Sequence, residues 1–317
     1  MNDKIFSDVR KLFFRLFVFV LLLLAIDKVC GYFLKKVYFA QNHGALYKSS
    51  YTFDEVKSDV LIVGASTAEY HYVPRIFEDS LSMSCYNAGR AGNFIFYYEA
   101  VIKSVLKRYT PKIIILDIRG LELEKKQENY DRLATLLPYY SSHPELRDLI
   151  FLKSRYEKWK LISSIYPYNS VLIQSLTGYL DLNKKRVEEA NQKGFVPKYG
   201  TYEEDLQEEH YSNDIDSNCV VALTSIMKDC SERNIKLIVT ISPTYEKMAN
   251  QSESILIAQN LATKYHAIFI DNSQNQFFLQ HREYFYDAVH LNLNGATIYS
   301  EMIAQKIKNY LTTGTQF

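Results

Sequence analysis

The sequence of 317 residues predicts an α/β protein in which helices cover both faces of a parallel β-sheet. Short runs of β-branched and other apolar residues alternate with segments of helical spacing, and this rhythm is typical of parallel sheets. Hydrophobic residues make up 47% of the chain, against 11 Gly and 7 Pro, which is enough to build a sizeable core. A long apolar segment precedes this body and predicts a helix at the N-terminus.

Charge and cysteine content exclude several classes of protein. The 37 Lys and Arg residues balance 36 Asp and Glu residues, leaving a formal net charge of +1, so we expect no nucleic-acid partner. Four cysteines are too few for a scaffold held by disulfides, and the sequence has no CxxC pair. We expect neither a cofactor nor a bound metal. The 26 tyrosines suit a surface that stacks on sugars, and they suit ordinary core positions equally well.

The N-terminal segment predicts a membrane anchor in residues 1–36, with a short cytoplasmic tail. Residues 12–34 read LFFRLFVFVLLLLAIDKVCGYFL, and residues 16–26 are apolar without interruption. A spanning helix needs about 20 apolar residues, so the charges at its ends have to reach toward the membrane surface. The tail is slightly richer in Lys and Arg than the flank after the apolar run, which favours a body outside the cytoplasm.

Three other interpretations of this segment remain open. A cleaved signal peptide fits the length of the apolar run, although no A-x-A-like cleavage site follows Ile26. Cys30 is a poor lipoprotein acceptor, because Lys28 and Val29 precede it where small residues are expected. A helix buried in the core is the third interpretation, and the four consecutive leucines between basic flanks disfavour it.

The body extends over residues 59–317, after a polar, Tyr-rich connector at residues 37–58. Buried strands are predicted at residues 59–66, 83–86, 112–116, 235–241 and 267–270. Helical spacing follows the second strand from Phe94, recurs at residues 252–264 and ends the body at about residues 295–311.

An insertion at about residues 121–233 breaks this rhythm. It predicts helices around residues 146–162 and 171–180, followed by a polar stretch at residues 183–216. Residues 201–227 contain seven acidic residues and no Lys or Arg. Such a run is usually a solvated face, but an insertion after the third strand emerges at the sheet edge where open α/β folds bind ligands. A lid or a substrate wall is the alternative.

Three small motifs occupy the loops of the body. Gly64-Ala65-Ser66 ends the first strand, so Ser66 is presented at the edge of the sheet. Asn87-Ala88-Gly89 follows the second strand, and its glycine offers the unobstructed backbone N–H that an oxyanion hole requires. Asp287 and His290 precede the last helix at a spacing that lets the carboxylate fix the tautomer of the imidazole. Singly, each motif is equally well explained as a turn.

In this order the motifs resemble those of the SGNH hydrolases, also called GDSL-type esterases. Gly64-Ala65-Ser66 resembles block I with Ala in place of the usual Asp, Asn87-Ala88-Gly89 resembles block II, and the Asp287/His290 pair resembles block V. The strings GASTAEYHYVP and FYDAVHLNLNGA resemble membrane-anchored SGNH proteins of bacterial envelopes. The resemblance covers residues 59–123 and 235–311, and most of the insertion has no counterpart.

The resemblance implies a flavodoxin-like three-layer α/β/α fold and a catalytic triad. Ser66 is the expected nucleophile, His290 its general base and Asp287 the partner of the base. The backbone N–H groups of Ser66 and Gly89 are the expected oxyanion donors. Asn87 and His71 are further candidates for contact with the substrate or the oxyanion.

The end of the third strand departs from the family pattern. Block III carries an Asn there, but residues 116–120 read LDIRG, with Arg119 near the expected place. Arg119 stabilises an oxyanion, binds an anionic substituent, or pairs with Asp117 or a glutamate of the insertion; we expect the pairing.

We therefore expect a serine-dependent acyl-ester hydrolase that acts on O-acyl, for example acetyl, groups of an envelope carbohydrate or on another small ester. An O-acyltransferase with the same triad and a non-catalytic anchored subunit that binds a glycan or a protein are the alternatives. Alginate-type transferases place their Asp-x-His motif before the serine, and this chain places its pair after it. Metal-dependent hydrolysis is disfavoured, because its candidate ligands lack metal-ligand spacing: His71, His281, Glu283, Asp287 and His290.

Overall fold

The computed structural model describes residues 2–180 and 192–314. At its centre lies a sheet of five strands: β1 (Val60–Gly64), β2 (Cys85–Asn87), β3 (Ile113–Asp117), β5 (Lys236–Ile241) and β7 (Ile268–Asp271). The strands lie in the order β2-β1-β3-β5-β7, and every neighbouring pair is parallel. Two short strands, β4 (Gln207–Glu209) and β6 (Glu246–Met248), pair in parallel outside this sheet.

Helices precede, connect and follow the strands. They are α1 (Asn2–Phe39), α2 (Gly44–Asp54), α3 (Ser66–His71), α4 (Pro74–Leu81), α5 (Ile95–Arg108), α6 (Gln127–Asp131), α7 (Arg147–Leu152), α8 (Glu157–Lys160), α9 (Leu172–Tyr179), α10 (Ser217–Glu232), α11 (Glu253–Lys264), α12 (Gln276–Leu279) and α13 (Leu293–Thr313). Shorter 3₁₀ turns lie at Arg132–Tyr139, Pro144–Leu146, Tyr166–Val171 and Arg282–Tyr284.

Side chains of the sheet alternate between two apolar cores. Leu61 and Val63 of β1 face the core that includes α5 and α10, whereas Val60 and Ile62 face the core that includes α4 and α13. All four are fully buried, as expected for a strand that is covered on both faces. The predicted α/β architecture, a parallel sheet with helices on both sides, is confirmed.

The connector predicted at residues 37–58 is largely helical. Helix α1 continues to Phe39, and α2 follows it with Leu46 and Phe53 buried against the body. Lys48 of α2 forms a buried ion pair with Glu69, at 3.0 Å. The polar composition of this stretch concealed its apolar positions, which become a helix face only because α5 packs against them.

The insertion is built from short elements. The predicted helix at residues 146–162 is divided into α7 and α8, and the one at residues 171–180 is α9. Part of the acidic run has a local role, because Asp216 caps the start of α10 and accepts a hydrogen bond from the Tyr130 hydroxyl, at 2.7 Å. Of the predicted polar stretch, residues 183–191 lie outside the described residues.

Helix α1 leaves the body at Asp27. Residues 5–26 are exposed on every side, whereas Asp27, Gly31, Leu34 and Tyr38 form a stripe that faces the body. These four positions recur at intervals of three and four residues, which places them on one side of a helix. The N-terminal segment is thus a single helix whose first two thirds project from the protein.

The contact at Asp27 is specific. Its carboxylate accepts hydrogen bonds from the Ser163 hydroxyl and the Ser164 backbone N–H, at 2.5 and 2.7 Å. A Cβ on Gly31 would lie 2.3 Å from the Cβ of Ser164, so only glycine fits there. Over residues 2–180 and 192–314, no helix combines the length and the apolar character needed to cross a membrane.

Candidate active site

Ser66 begins helix α3 at the carboxyl end of β1. The turn between strand and helix is tight, because a Cβ on Gly64 would lie 2.5 Å from the carbonyl oxygen of Asp117 and 2.7 Å from the Cβ of Ala68. Only glycine fits this approach of β1 to β3. Ser66 itself is partly exposed, so its hydroxyl is accessible at the edge of the sheet.

His290 lies between Ser66 and Asp287. Its Nε2 is 2.7 Å from Ser66 Oγ, and its Nδ1 is 2.9 Å from each carboxylate oxygen of Asp287. The backbone N–H groups of Val289 and His290 also donate to Asp287 Oδ1, at 2.9 and 2.8 Å. The structure thus brings together the three side chains selected from the sequence, in the order found in serine hydrolases.

Asp287 is held in its ionised form. Burial by itself raises the pKa of the carboxyl, but the hydrogen bonds and charge of His290 and the bond from Val289 outweigh it and lower the pKa to about 2. An ionised carboxylate favours the tautomer that carries its proton on Nδ1. Nε2 is then the acceptor, directed at Ser66.

Residues 283–292 carry Asp287 and His290, and we call this segment the catalytic loop. His71 lies behind this loop and is fully buried. Its Nε2 accepts a hydrogen bond from the backbone N–H of Leu291, the residue after His290, at 2.9 Å. Burial, and then the charge of His290, lower the pKa of His71 well below its ordinary value, so the ring is neutral. The expectation that His71 touches substrate or oxyanion is wrong, because its ring contacts the backbone that carries His290.

The oxyanion side of the site also differs from expectation. The backbone N–H of Gly89 donates to Asn87 Oδ1 at 2.9 Å, so it is not free to bind an oxyanion. Asn87 is buried, and its side-chain amide donates to the carbonyl oxygens of Ala68 and Tyr72, at 2.7 and 2.9 Å. Asn87 therefore binds the backbone at the end of helix α3, and Gly89 in turn binds Asn87. Within the described part of the chain, the Ser66 N–H makes no hydrogen bond.

Asp117 and Arg119 do not pair, contrary to expectation. Asp117 is fully buried, and its Oδ1 accepts hydrogen bonds from the Tyr72 and Ser242 hydroxyls, at 2.7 and 2.6 Å. The guanidinium of Arg119 makes no ion pair or hydrogen bond with another described residue. The Arg119 backbone N–H instead donates to Glu122 Oε2 in the insertion, at 3.3 Å, and burial raises the pKa of Glu122 to about 7 against this bond and the charge of Arg119.

A cavity of about 100 Å³ opens beside Thr67, the residue that follows Ser66 in α3. Arg119 and Glu246 both line it; burial raises the pKa of Glu246, and the charge of Arg119 opposes that rise. A cavity of this size has room for a group of several heavy atoms. It is lined by Thr67, Ile118, Arg119, Gly120, Leu121, Glu209, His210, Tyr211, Ile241, Ser242, Thr244, Glu246, Met248 and Ser273.

Residues 193–202 of the insertion run alongside the site, and we call this segment the wall. The N–H of Val196 donates to the carbonyl of Glu69 in α3, at 3.1 Å, and the N–H of Leu293 donates to the carbonyl of Lys198, at 2.8 Å. The wall is therefore hydrogen-bonded both to the helix that begins with Ser66 and to the start of α13, three residues after His290.

Asn292 connects the wall to the catalytic loop. Its side-chain amide donates to the carbonyl oxygens of Gly200 and Glu283, at 2.9 and 2.7 Å. Its Oδ1 accepts from the N–H of Gly295 and so caps helix α13, at 3.1 Å. One side chain, two positions after His290, thus joins the wall, the catalytic loop and the last helix.

Aromatic rings surround the mouth of the site. The ring of Tyr70 lies 5.2 Å from the ring of His290, and the ammonium of Lys198 lies 4.2 Å from Tyr70 and 5.2 Å from Tyr286. Tyr199 and Tyr286 are 66% and 43% exposed. These flat, partly polar surfaces suit a ligand that stacks and forms hydrogen bonds.

Sequence reasoning missed Ser242, Glu246 and Tyr211. Ser242 follows β5 directly, and Glu246 lies four residues further on, at the edge where the carboxyl ends of all parallel strands meet. The same rule that selected Ser66 therefore applies to both residues. Tyr211 had no such signal, because it reaches the cavity through the insertion.

The candidate metal ligands of the sequence are not gathered into one site. Within residues 2–180 and 192–314, no three His, Cys, Asp or Glu side chains form a group that could hold a metal ion. His281, for example, is hydrogen-bonded to the carbonyl of Phe277 in α12 instead, at 2.7 Å.

Comparisons with known proteins gave structural matches only. No protein-family model matches the chain, and no curated protein matches it in sequence. The chain is similar in structure to an SGNH-hydrolase family esterase. That esterase, AlinE4, and a point mutant of it are each 14% identical to this chain, with TM-scores of 0.32 and 0.33. Both comparisons cover 83% of this chain and 100% of the other.

Proposed function

We propose that the chain is a serine-dependent acyl-ester hydrolase of the SGNH type with the flavodoxin-like fold of that family. The observation that carries the proposal is the continuous series from Asp287 through His290 to Ser66, with separations of 2.9 and 2.7 Å. These distances lie within the reach that proton transfer between catalytic groups requires. Ser66 is the nucleophile, His290 the general base, and Asp287 the partner of the base.

The reaction proceeds through an acyl-enzyme. Ser66 Oγ attacks the ester carbonyl carbon while its proton moves to His290 Nε2, and the carbonyl electron pair moves to the oxygen. The bond to the alcohol oxygen then breaks, and the imidazolium returns the proton to the leaving alcohol. Water attacks the acyl-enzyme as His290 takes one of its protons, which releases the carboxylic acid and restores Ser66. Asp287 stays ionised and stabilises the imidazolium.

The oxyanion is assigned first to the backbone N–H of Ser66. That donor lies beside the nucleophile and has no acceptor among the described residues, whereas the Gly89 N–H is already bound to Asn87. Arg119 lies in the adjacent cavity, and we assign it to the acyl side of the substrate. The size of the cavity suits an acetyl group, which has three heavy atoms beyond the alkoxy oxygen.

We assign the alcohol side of the substrate to a carbohydrate of the cell envelope. The support is the exposed rings of Tyr199 in the wall and Tyr286 in the catalytic loop, with the ammonium of Lys198 in the wall 5.2 Å from the Tyr286 ring. Sugar rings present C–H faces that stack on tyrosine and hydroxyls that bind polar tips.

The proposal includes attachment to a membrane through α1, with the body outside the cytoplasm. Its support is the row of large apolar side chains on residues 5–26, such as Phe14, Phe17 and Leu22, which are 67%, 60% and 57% exposed. Apolar surface of this extent requires a partner of low polarity.

A fluorophosphonate probe tests the catalytic assignment. The probe reacts with activated serines, so we expect labelling of the wild type and none of Ser66→Ala. Ser231→Ala is the matched control, because Ser231 is exposed near the end of α10 and does not line the neighbouring cavity, and it should be labelled normally. An unlabelled wild type, or a labelled Ser66→Ala, contradicts the hydrolase and leaves a binding subunit as the alternative.

Product analysis distinguishes hydrolysis from transfer. With an O-acetylated oligosaccharide we expect free acetate and the deacetylated sugar in equal amounts. If a second sugar is added and acetate appears on it rather than in solution, the chain is an O-acyltransferase with the same residues.

A further inference from the structure

The segment of residues 152–162, which contains α8, exposes several large apolar side chains. Tyr156, Trp159 and Ile162 are 51%, 72% and 59% exposed, and Leu152 is 37% exposed. We call this segment the collar. Trp159 is the only tryptophan of the chain. Large apolar side chains in such a cluster mark an interaction surface.

The collar lies where α1 leaves the body. Lys28 of α1 donates hydrogen bonds to the carbonyl of Ile162 and to the Ser164 hydroxyl, at 3.2 and 2.9 Å. Asp27 is bound to Ser163, the residue that follows the collar. The exposed apolar surface of α1 therefore continues directly onto the exposed apolar residues of the body.

The charge of the collar is positive. It contains Lys153, Arg155, Lys158 and Lys160 but only one acid, Glu157. Glu157 is completely buried, where Lys160 and the Tyr166 hydroxyl bind its carboxylate at 2.8 Å each. Arg155 and Lys158 remain exposed beside the aromatic rings. Tryptophan and tyrosine among basic residues are the composition found at membrane surfaces.

A cleft beside the collar has the same character. It encloses about 320 Å³ between α1 and the body, and both Lys28 and Lys35 line it, together with hydroxyls of Ser141, Ser163 and Ser164. The Lys28 ammonium and the Ser163 hydroxyl already bind Ser164 and Asp27, which leaves the Lys35 ammonium and the Ser141 hydroxyl to meet a phosphate group.

We infer that the collar binds the surface of a bilayer that contains anionic phospholipids, with Trp159 and Ile162 in the interfacial region and the cleft on a lipid phosphate. The inference rests on the proposed membrane attachment of α1. It adds that the body itself lies on the lipid, on the insertion side, instead of moving freely on a tether.

The test uses the full-length protein, purified in detergent and mixed with preformed vesicles before the detergent is removed. One set of vesicles is phosphatidylcholine, and the other contains phosphatidylglycerol as well. Sedimentation with the vesicles reports attachment through α1. The emission of Trp159 reports the collar, and we expect a blue shift, protection from acrylamide and quenching by lipids brominated near the headgroup, all stronger with phosphatidylglycerol.

Charge reversal provides the matched variants. Arg155→Glu combined with Lys158→Glu should weaken the response to phosphatidylglycerol by at least about 25-fold, since each basic residue near an anionic surface contributes roughly fivefold and the new carboxylates add repulsion. Arg75→Glu combined with Lys228→Glu alters exposed basic residues on α4 and α10 and should change nothing.

The outcomes separate the two proposals. If the protein sediments with vesicles while Trp159 stays accessible to acrylamide, the inference about the collar is overturned and the attachment through α1 stands. If the protein neither sediments nor shows a blue shift of Trp159, both the attachment through α1 and the inference about the collar are overturned. A blue shift that grows with protein concentration in the absence of lipid means that a second copy covers the collar, and it also overturns the inference.

Discussion

His290 and His143 are both hydrogen-bonded to carboxylates through Nδ1, and they differ in what lies at Nε2. His290 has Asp287 on one side and the Ser66 hydroxyl on the other, at 2.7 Å. His143 has Glu145 at 2.8 Å on one side and Asp54 at 2.9 Å on the other. The Nε2 of His290 therefore faces a proton donor, whereas the Nε2 of His143 faces a second proton acceptor.

The second partner decides what each ring can do. Burial lowers the pKa of His143, but the bonds and charges of Asp54 and Glu145 outweigh it and raise the pKa above its ordinary value. His143 is thus favoured as a cation that joins α2 to the start of the insertion. His290 has only one carboxylate partner among the described residues, so its Nε2 is left to accept a proton from a neutral hydroxyl. A histidine–carboxylate pair marks a base only where the remaining nitrogen meets a nucleophile.

Replacing Asp287 by Asn should have the largest effect of any change to these two regions. The amide cannot hold the Nδ1–H tautomer as a carboxylate does, so the comparison predicts a loss of about 10⁴-fold in kcat for ester hydrolysis. Steady-state kinetics on a small acetyl ester measure this. Asp271→Asn, at the carboxyl end of β7, is the control and should retain activity. Near-normal turnover by Asp287→Asn would show that His290 does not depend on its carboxylate.

Replacing His71 by Leu tests whether the hydrogen bond from the Leu291 N–H to His71 holds His290 in position. The change leaves the Leu291 N–H without its acceptor, which costs about 1–3 kcal/mol of unfolding free energy and displaces the loop. We expect kcat to fall by about 10- to 100-fold with KM little changed. His71→Gln places an acceptor near the position of Nε2 and should restore part of kcat, whereas His71→Asn is too short. Equal losses in the Gln and Asn variants would contradict this role.

Replacing Arg119 by Asn tests the other side of Ser66. Because Arg119 lines the cavity and its guanidinium has no partner in the described part of the chain, we expect its loss to lower kcat/KM for the acetyl ester by about tenfold. Arg119→Lys should recover part of this, since it keeps the charge but not the planar fork. Thermal melting serves as the control for folding. Full activity in the Asn variant would mean that an amide serves as well as the guanidinium.

His143 should show the smallest effect, and only in stability. A raised pKa in the folded state stabilises the protein at low pH, and this contribution is lost as the pH rises through that pKa. We expect wild type to exceed His143→Gln in Tm by about 2–4 °C near pH 6 and by less above pH 8. The effect is small because the Asp54 carboxylate is 44% exposed and therefore screened. A difference in Tm that does not vary with pH would contradict the charged state.

The triad was predictable because its members lie in local patterns. Ser66 ends an apolar run with Gly64 two residues before it, and Asp287 and His290 lie within one loop, so each position follows from its own neighbours. The parallel sheet then brings the two segments to the same edge. For the same reason the strands of the body were found to within a few residues.

The oxyanion side was not predictable because it depends on contacts between segments distant in sequence. The Gly89 N–H is occupied by a side chain only two residues away, but that side chain is fixed by α3. Asp117 prefers the hydroxyls of Tyr72 and Ser242 to the guanidinium of Arg119, and no spacing in the sequence shows this. Helix α2 was missed likewise, because its buried face exists only against α5.

The hydrogen bond between Asn292 and Gly200 couples any movement of the wall to the position of His290. If the wall swings outward to admit a bulky glycan, it must release the Asn292 amide, which also caps α13 two residues after His290. On the proposed function, outward movement of the wall therefore releases the backbone next to His290. Its return holds His290 in place against Ser66. A large substrate that displaces the wall is then cleaved only after the wall has returned and Asn292 has regained its bond to Gly200, whereas a small ester that enters without displacing the wall is not delayed. Selectivity for size is then linked to the rate of the chemical step as well as to binding.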